Sequence, residues 1–357
     1  MLFDPLVLRE GVVSRNRIWL APLTNLQSHE DGSLSDDELR FLAMRAEGGF
    51  GLVETCAAHV AQDGKAWRGE LGVHDDAMLP GLTRLAGAIH ARGALASVQL
   101  FHGGLRASEE ASGLPVWSAS AYEEGVVTLP RAGTEDDIAG AIEAFARAAE
   151  RCAEAGFDAV ELHGAHGYLL AQFLSTVYNR RTDRWGGSLE NRARLIRMVL
   201  RAVRERAPAL VRIVRLSPED FAQTKGIDLD EAIQTARWLA EDGMEVLHLS
   251  LWRAARNTTK RPDEHATRLF RDAVPARVRV VTAGRILTKH DADAQLALGA
   301  DAVAIGRAAI ANHDWPLRIR DGHPTASEPL TEAHLRAEGL SPRFVEYMKS
   351  WKGFVAS

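Results

Sequence analysis

Cysteine is scarce: Cys56 and Cys152, in 357 residues, are too few and too far apart in sequence for a disulfide framework or a cysteine-built metal cluster. That scarcity fits a reducing compartment. No stretch approaches the ~18 consecutive uncharged apolar residues that a membrane-spanning helix needs. The start, Met-Leu-Phe-Asp-Pro, has no basic segment ahead of an apolar one, so the expectation is a cytoplasmic protein with no membrane partner. Positive charge is not in excess either. Lys+Arg 43 against Asp+Glu 48 gives a formal net charge of -5, which leaves no basic footprint for nucleic acid. No Gly-x-Gly-x-x-Gly follows an early strand, so a doubly wound dinucleotide-binding sheet, the runner-up architecture, has nothing to stand on. Internal repeats and low-complexity segments are lacking too.

What is present is a soluble-type composition, 46% hydrophobic and 25% charged, over a length that a single barrel domain spanning residues 1–357 can use. Apolar runs alternate with helical spacing along most of it. Strands are expected at 17–22, 50–54, 94–100, 157–163, Val211–Leu216, Val246–Ser250, 278–283 and 302–306. Between them lie helices that follow Ser35 and span 79–91, Glu135–Glu154, 188–206, 229–241 and 264–273. Ser35 with Glu38 three residues on reads as a capping box. Eight strands in this order imply a closed α/β fold, a (β/α)8 TIM barrel over about 15–320, followed by a helical extension over about 321–357. The extension carries Phe344, Tyr347, Met348 and Trp351 at helical spacing. These must bury against the barrel wall or at a subunit contact, which leaves a homo-oligomer through this segment open. Residues 102–134 lack periodicity over a length unusual for a plain connection, and are expected to cover the mouth of a site.

The chemistry-bearing residues gather where strands end. His163, His166 and Tyr168 follow the strand 157–163 within a few residues, at the carboxyl-end face where barrels do their work. Two imidazoles could hold a metal, but no third His or carboxylate stands nearby at a ligand spacing. Arg215 sits in an otherwise apolar strand, and a permanent charge there needs an anion, either a ligand or an internal carboxylate such as Glu161. Gly284-Arg285 and Gly306-Arg307 end strands seven and eight, the loops that most often hold phosphate in such barrels.

The run Glu161-Leu-His163-Gly-Ala-His166-Gly-Tyr168, with Gly186-Gly-Ser-Leu-Glu-Asn-Arg192 after it, resembles the Old Yellow Enzyme family of flavin-dependent oxidoreductases. Ala21-Pro22-Leu23-Thr24, Gln99 with His102, Arg215-Leu216-Ser217 and Gly306-Arg307 appear in that family's order. The resemblance implies non-covalent FMN, reduced by NADH or NADPH, and a small-molecule substrate with an activated C=C bond, such as an enone. It implies that Ala21, Pro22, Leu23 and Thr24 line the flavin, Thr24 through its hydroxyl, and that the backbone of Ala57 lies against the ring. Gln99 and Arg215 would face the pyrimidine end, while Gly284, Arg285, Gly306 and Arg307 would hold the phosphate. His163 and His166 would grip the substrate's oxygen and Tyr168 would protonate carbon. The alternatives are a flavin barrel that oxidises an amine or another small metabolite, and a flavin-free phosphate-binding barrel. Two positions depart from the family's pattern: Leu105 stands where Arg is frequent, with Arg106 displaced by one, and Leu26 stands where one branch has an aromatic.

Overall fold

The computed structural model describes residues 1–123 and 129–356. The chain opens on an antiparallel hairpin, β1 (Leu6–Arg9) and β2 (Val12–Ser14), turned at Gly11 with φ 80°. Then come β3 (Ile18–Leu20), β4 (Leu52–His59), the short β5 (Leu71–Gly72), β6 (Leu95–Phe101), two more short strands β7 (Trp117–Ser118) and β8 (Arg131–Ala132), and β9 (Ala159–Gly164). Strands β10 (Val211–Leu216), β11 (Val246–Ser250), β12 (Arg279–Ala283) and β13 (Ala302–Ile305) complete the set. Strands β3, β4, β6, β9, β10, β11, β12 and β13 pair in parallel, and β3 bonds to both β13 and β4, which closes the (β/α)8 barrel.

The two-residue period of a strand decides what faces the barrel axis. Ala159, Val211, Ile213, Val246, Val281 and Ala302 belong to the inner cluster, whereas Val160, Leu162, Val214, Leu247 and Val303 pack outward against the helices. Followed upward, the inner positions turn from apolar to polar: Val211 and Ile213 lead to Arg215, Ala159 leads to Glu161 and His163, and Val246 leads to His248 and Ser250. The lower end is plugged by Leu6 and Leu8 of the hairpin, which pack on Trp19 and Leu52. Arg9 of the same hairpin donates to the carbonyls of Pro208, Ala209 and Leu210 at 2.9, 3.0 and 3.2 Å.

Several expectations change in detail. The second barrel strand runs on to His59, because a bulge between Glu54 and Ala57 sets Glu54 opposite Ser97 and Ala57 opposite Gln99. The extra residue restores the inward parity and puts Ala57 rather than Cys56 at the top of the barrel. Ser35 does cap helix Asp36–Glu47, but the Glu38 carboxylate does not reach back to form the box. It is drawn inward, accepting from Asn25 Nδ2 and Cys56 Sγ (both 3.1 Å) and from Ser28. The helix expected over 188–206 is broken at Ala193 into Leu189–Arg192 and Arg194–Arg206. The hairpin and the helix Lys289–Ala297 were not anticipated. Residues 124–128 of the long connection lie outside the described residues; none of its described residues is on the wall of the main cavity, although Arg106 packs over the Tyr168 ring that is. Both cysteines are free and buried, and among the described residues no helix is long and apolar enough to cross a membrane.

The extension folds back on the barrel through Phe344, whose ring meets Phe41 edge-on at 5.2 Å. Buried Arg45 joins the two parts by donating to the carbonyls of Ala309 (3.3 Å from Nε) and Glu338 (2.8 Å from Nη1). Of the four residues at helical spacing, Phe344 and Met348 are buried within this one chain, Tyr347 is half-buried and Trp351 is 43% exposed.

If the hairpin closes the barrel floor, Leu8→Ala (5% exposed) should leave a cavity there and cost about 2–5 kcal/mol. Urea melts followed by tryptophan fluorescence would show a lowered midpoint with unchanged slope; an unchanged midpoint would mean the hairpin merely rests on the floor.

Candidate active site

At the carboxyl ends of the barrel strands opens a cavity of about 330 Å³. Every residue that the resemblance assigns to the flavin or the substrate lies on its wall: Ala21 to Thr24 after β3, Ala57 on β4, Gln99 on β6, His163, His166 and Tyr168 after β9, and Arg215 on β10. Gly284 and Arg285 after β12 and Gly306 and Arg307 after β13 complete them. Convergence from seven strand ends follows from the parallel closure, which puts all carboxyl ends on one face.

His163, His166 and Tyr168 form a compact group. The His163 ring lies 4.9 Å from both the His166 and the Tyr168 rings, at 86° and 64°. The turn that permits this holds His166 at φ 59°, a strained conformation for a residue with Cβ. His163 Nδ1 accepts from the backbone N–H of Ala165 at 3.4 Å, which puts the ring proton on Nε2. His166 Nε2 meets Ser250 Oγ at 2.6 Å, and Ser250 Oγ also accepts from Arg215 Nη2 at 3.1 Å. Burial, followed by the neighbouring His166, Arg215 and Arg106, drives the His163 pKa well below its ordinary value; burial and the same two arginines do so for His166. Both imidazoles are therefore neutral at pH 7. Burial also raises the Tyr168 pKa, against an opposing pull from Arg106, so the phenol keeps its proton.

Arg106 is the displaced arginine of the sequence, and it does reach the site. Its Cζ stands 4.3 Å over the Tyr168 ring centroid and its Nη1 donates to the His166 carbonyl at 2.7 Å. Leu26, by contrast, is not on the cavity wall; it is half-buried, with φ 57°. An aromatic does stand at the cavity, but it is Trp67. The loop that carries Trp67 is pinned by buried Glu70, which accepts from the N–H groups of Ala66 and Trp67 at 2.9 and 3.3 Å.

Beneath the cavity lies a polar layer. Glu161 accepts from Gln99 Nε2 at 2.6 Å and from His248 Nδ1 at 2.5 Å. Burial would raise the Glu161 pKa, but His248, Arg215 and Gln99 outweigh it and keep the group ionised. Glu54, buried and repelled by Glu161, is pushed well up and stays neutral. Arg215 makes no direct ion pair with Glu161 among the described residues, and its buried Nε has no hydrogen-bond partner. A guanidinium with an unused donor on a cavity wall, an amide at Gln99 whose Oε1 is uncommitted, and a hydroxyl at Thr24 suit a planar ligand with a polar edge that gains negative charge.

The two Gly-Arg steps differ. Arg285, at φ 52°, is exposed and has no ion pair or side-chain hydrogen bond among the described residues, so it is available to an anion. Gly284, at φ 149°, admits no side chain, since a Cβ would fall 2.5 Å from the Leu251 carbonyl oxygen. Arg307 is held by Glu328, 2.9 Å to each carboxylate oxygen, and lies 5.2 Å from the Trp351 ring. Any phosphate there shares Arg307 with Glu328. Donors and free space of this kind fit FMN. Sequence reasoning missed Trp67, Ser250, Trp252, Tyr347, Met348 and Trp351 on the wall. Only the last three carried a signal, as apolar residues at helical spacing with no assigned partner.

A family model described as NADH:flavin oxidoreductase / NADH oxidase matches residues 1–326. The probable NADH-dependent flavin oxidoreductase YqiG of Bacillus subtilis (strain 168) is 37% identical over 332 residues, 90% of this chain and 88% of that protein. Among solved structures, the old yellow enzyme homologue from Zymomonas mobilis superposes with a TM-score of 0.83 at 29% identity, covering 91% of this chain and 94% of that one. Morphinone reductase gives 0.83 at 30% identity, covering 94% and 92%.

Histidines kept neutral by burial make stability depend on pH. His59, below the Trp67 loop, is lowered to about 3 and its stacking partner His74 to about 4, burial being the largest cause for each. Unfolded, each titrates near 6.5, so the unfolded chain binds the extra proton below that pH. Their contribution is complete above about pH 6.5 and is lost as pH falls toward the folded values. His59→Gln should therefore lose about 1–2 kcal/mol less than the parent between pH 7 and pH 5 in urea melts. Equal losses would show that His59 takes up no proton on unfolding.

Proposed function

Because the chain belongs to the NADH:flavin oxidoreductase / NADH oxidase family, the Old Yellow Enzymes, and uses FMN with NADH or NADPH, we propose that it reduces activated C=C bonds of α,β-unsaturated carbonyl compounds. The observation that carries this reading is the neutral His163, His166 and Tyr168 trio, packed ring to ring on the cavity wall. Neutral imidazoles donate without demanding a counter-ion. His163 offers Nε2–H. Ser250 already accepts from Arg215, so its hydroxyl can donate to His166 Nε2, which leaves the His166 ring proton on Nδ1 as the second donor. Two such donors on a carbonyl oxygen draw density out of a conjugated alkene, and in a water-excluded site each is worth about 3–4 kcal/mol when charge develops.

Bound FMN supplies the two-electron chemistry between the nicotinamide and the alkene. Arg215, Gln99 and Thr24 would orient its polar edge, and Arg285 with Arg307 would hold its phosphate. Tyr168 keeps a proton available at neutral pH, and Arg106 over its ring makes the phenol a readier donor to the carbon next to the carbonyl. The free, buried cysteines accord with a cytoplasmic setting. Oxidation of an amine by the same cofactor is the competing reading, and it gives the paired imidazoles no oxygen to grip.

The test is anaerobic turnover of 2-cyclohexenone. Tyr168→Phe should slow enone reduction by about 10²-fold or more while a quinone, which needs no carbon protonation, is still reduced near the parent rate. A Tyr168→Phe enzyme as fast as the parent on the enone would remove Tyr168 from that role. Replacing both histidines by alanine should cripple the enone step and spare reduction by NAD(P)H. Arg215→Leu should lower the midpoint potential of the bound cofactor, by about 30–60 mV if one charge-assisted hydrogen bond is lost. A redox titration that finds the potential unchanged or raised would take Arg215 out of contact with the developing charge.

A further inference from the structure

We propose that the loops after β10 and β11 form a second binding site, for the adenosine diphosphate portion of a nucleotide cofactor, next to the redox cavity. The inference rests on the reading that the redox cavity takes the nicotinamide end of the reductant. A separate cavity of about 180 Å³ lies between residues 218–221 and 251–259, and it shares Ser250, Leu251 and Trp252 with the main one. Trp252 is 56% exposed, an unusual state for so large an apolar face. It stands 6.0 Å from the Phe221 ring, which in turn stands 5.9 Å from His166, so an aromatic path leads outward from the substrate-gripping residues.

Arg253 and Arg256 line this second cavity and are exposed, and among the described residues neither has an ion pair or a side-chain hydrogen bond. That sets them apart from the next cations along the loop. Lys260 is bound by Asp228 at 2.5 Å and Asp230 at 2.8 Å, and Arg261 by Asp230. The two acids on the wall are already used. Glu219 accepts from the N–H groups of Thr259 and Lys260, both at 2.8 Å. Asp220 accepts from those of Gly226 and Ile227 at 2.8 and 2.7 Å. They hold the two loops in shape and leave the guanidiniums free. A flat indole for a purine and two uncommitted guanidinium forks for phosphates are what an adenosine diphosphate needs. The nicotinamide reductant carries that group, and so would a coenzyme A ester serving as acceptor.

The test compares the FMN-loaded parent with R253E/R256E. Calorimetric titration with 2′,5′-ADP should show affinity falling about tenfold or more in the variant. In rapid mixing without acceptor, the NADPH concentration for half-maximal flavin reduction should rise by a similar factor, while 1-benzyl-1,4-dihydronicotinamide, which has no such tail, reduces both proteins alike. If NADPH saturates both proteins equally but crotonyl-CoA saturates the variant only at higher concentration, the tail belongs to the acceptor and the site stands. Equal behaviour of the two proteins toward 2′,5′-ADP, NADPH and crotonyl-CoA overturns the proposal, and so does an equal loss with the tail-less reductant. A failure of the redox reading would look different: the parent's flavin would stay oxidised with both reductants, and the calorimetric comparison would still decide the site.

Discussion

A guanidinium buried at the heart of a closed barrel is the constraint to which the site's other groups answer. Removing such an ion from water costs several kcal/mol, and only a nearby opposite charge can offset it. Arg215 finds that charge in Glu161 on the neighbouring strand, across a gap rather than in a direct pair. One positive and one negative charge then saturate the layer. A second carboxylate cannot ionise beside Glu161, so Glu54 stays protonated and accepts from Ser97 at 3.1 Å. A second cation cannot form beside Arg215, so His163, His166 and His248 stay neutral despite the carboxylate that His248 touches. Burial is the largest cause of the neutral state of these imidazoles, and Arg215 reinforces it at each of them. A metal at Glu54, Glu161 and His248, whose ligand atoms lie within 4.8 Å of one another, would have to compete with the charge balance already in place.

The barrel separates this polar layer from solvent at one end and gives it a chamber at the other. Period-two alternation places Val211 and Ile213 below Arg215, and Ala159 below Glu161, so the lower interior is apolar without a break. The hairpin's two leucines finish that seal. At the upper end the inward positions are small, Ala21, Ala57, Ala283 and Ala304, and their missing bulk is the cavity. A bulge in β4 is what brings Ala57 into that set, since without it the larger Cys56 would face the chamber.

Much of this was legible in the sequence because closed parallel barrels advertise themselves. Strands buried on both faces read as continuous apolar runs, and the charged or histidine residues that interrupt them, Glu161, His163 and Arg215, must then be inside. What was not legible depended on contacts distant in sequence. Nothing in Ser35-Asp-Asp-Glu38 shows that Glu38 will leave the cap for Asn25, Ser28 and Cys56, because the competing partners are set by packing. The hairpin's strands are only 4 and 3 residues long and expose Val7 and Val13, so no period emerges. Trp67 and Ser250 looked like ordinary loop and strand-end residues. Arg106 was visible as a displacement, but its place over Tyr168 comes from the short 3-10 turn Gly104–Arg106, where Gly104 sits at φ 57°.

The C-terminal extension changes what the cavity can admit. Helix Pro342–Lys349 turns Phe344 into the barrel wall and, by helical spacing, brings Tyr347 and Met348 round to the chamber, with Trp351 one turn on. Trp351 also shields Arg307, whose other side is closed by Glu328 from the segment that leads into the extension. The extension therefore walls the cavity beside Arg307, while Ser250 at the end of β11 and Leu251 and Trp252 of its loop wall another part of it. His163, His166 and Tyr168 stand on the wall of the same chamber. Leu251 and Trp252 line both this cavity and the second one, so the border between the two is built by the loop after β11 and not by the extension.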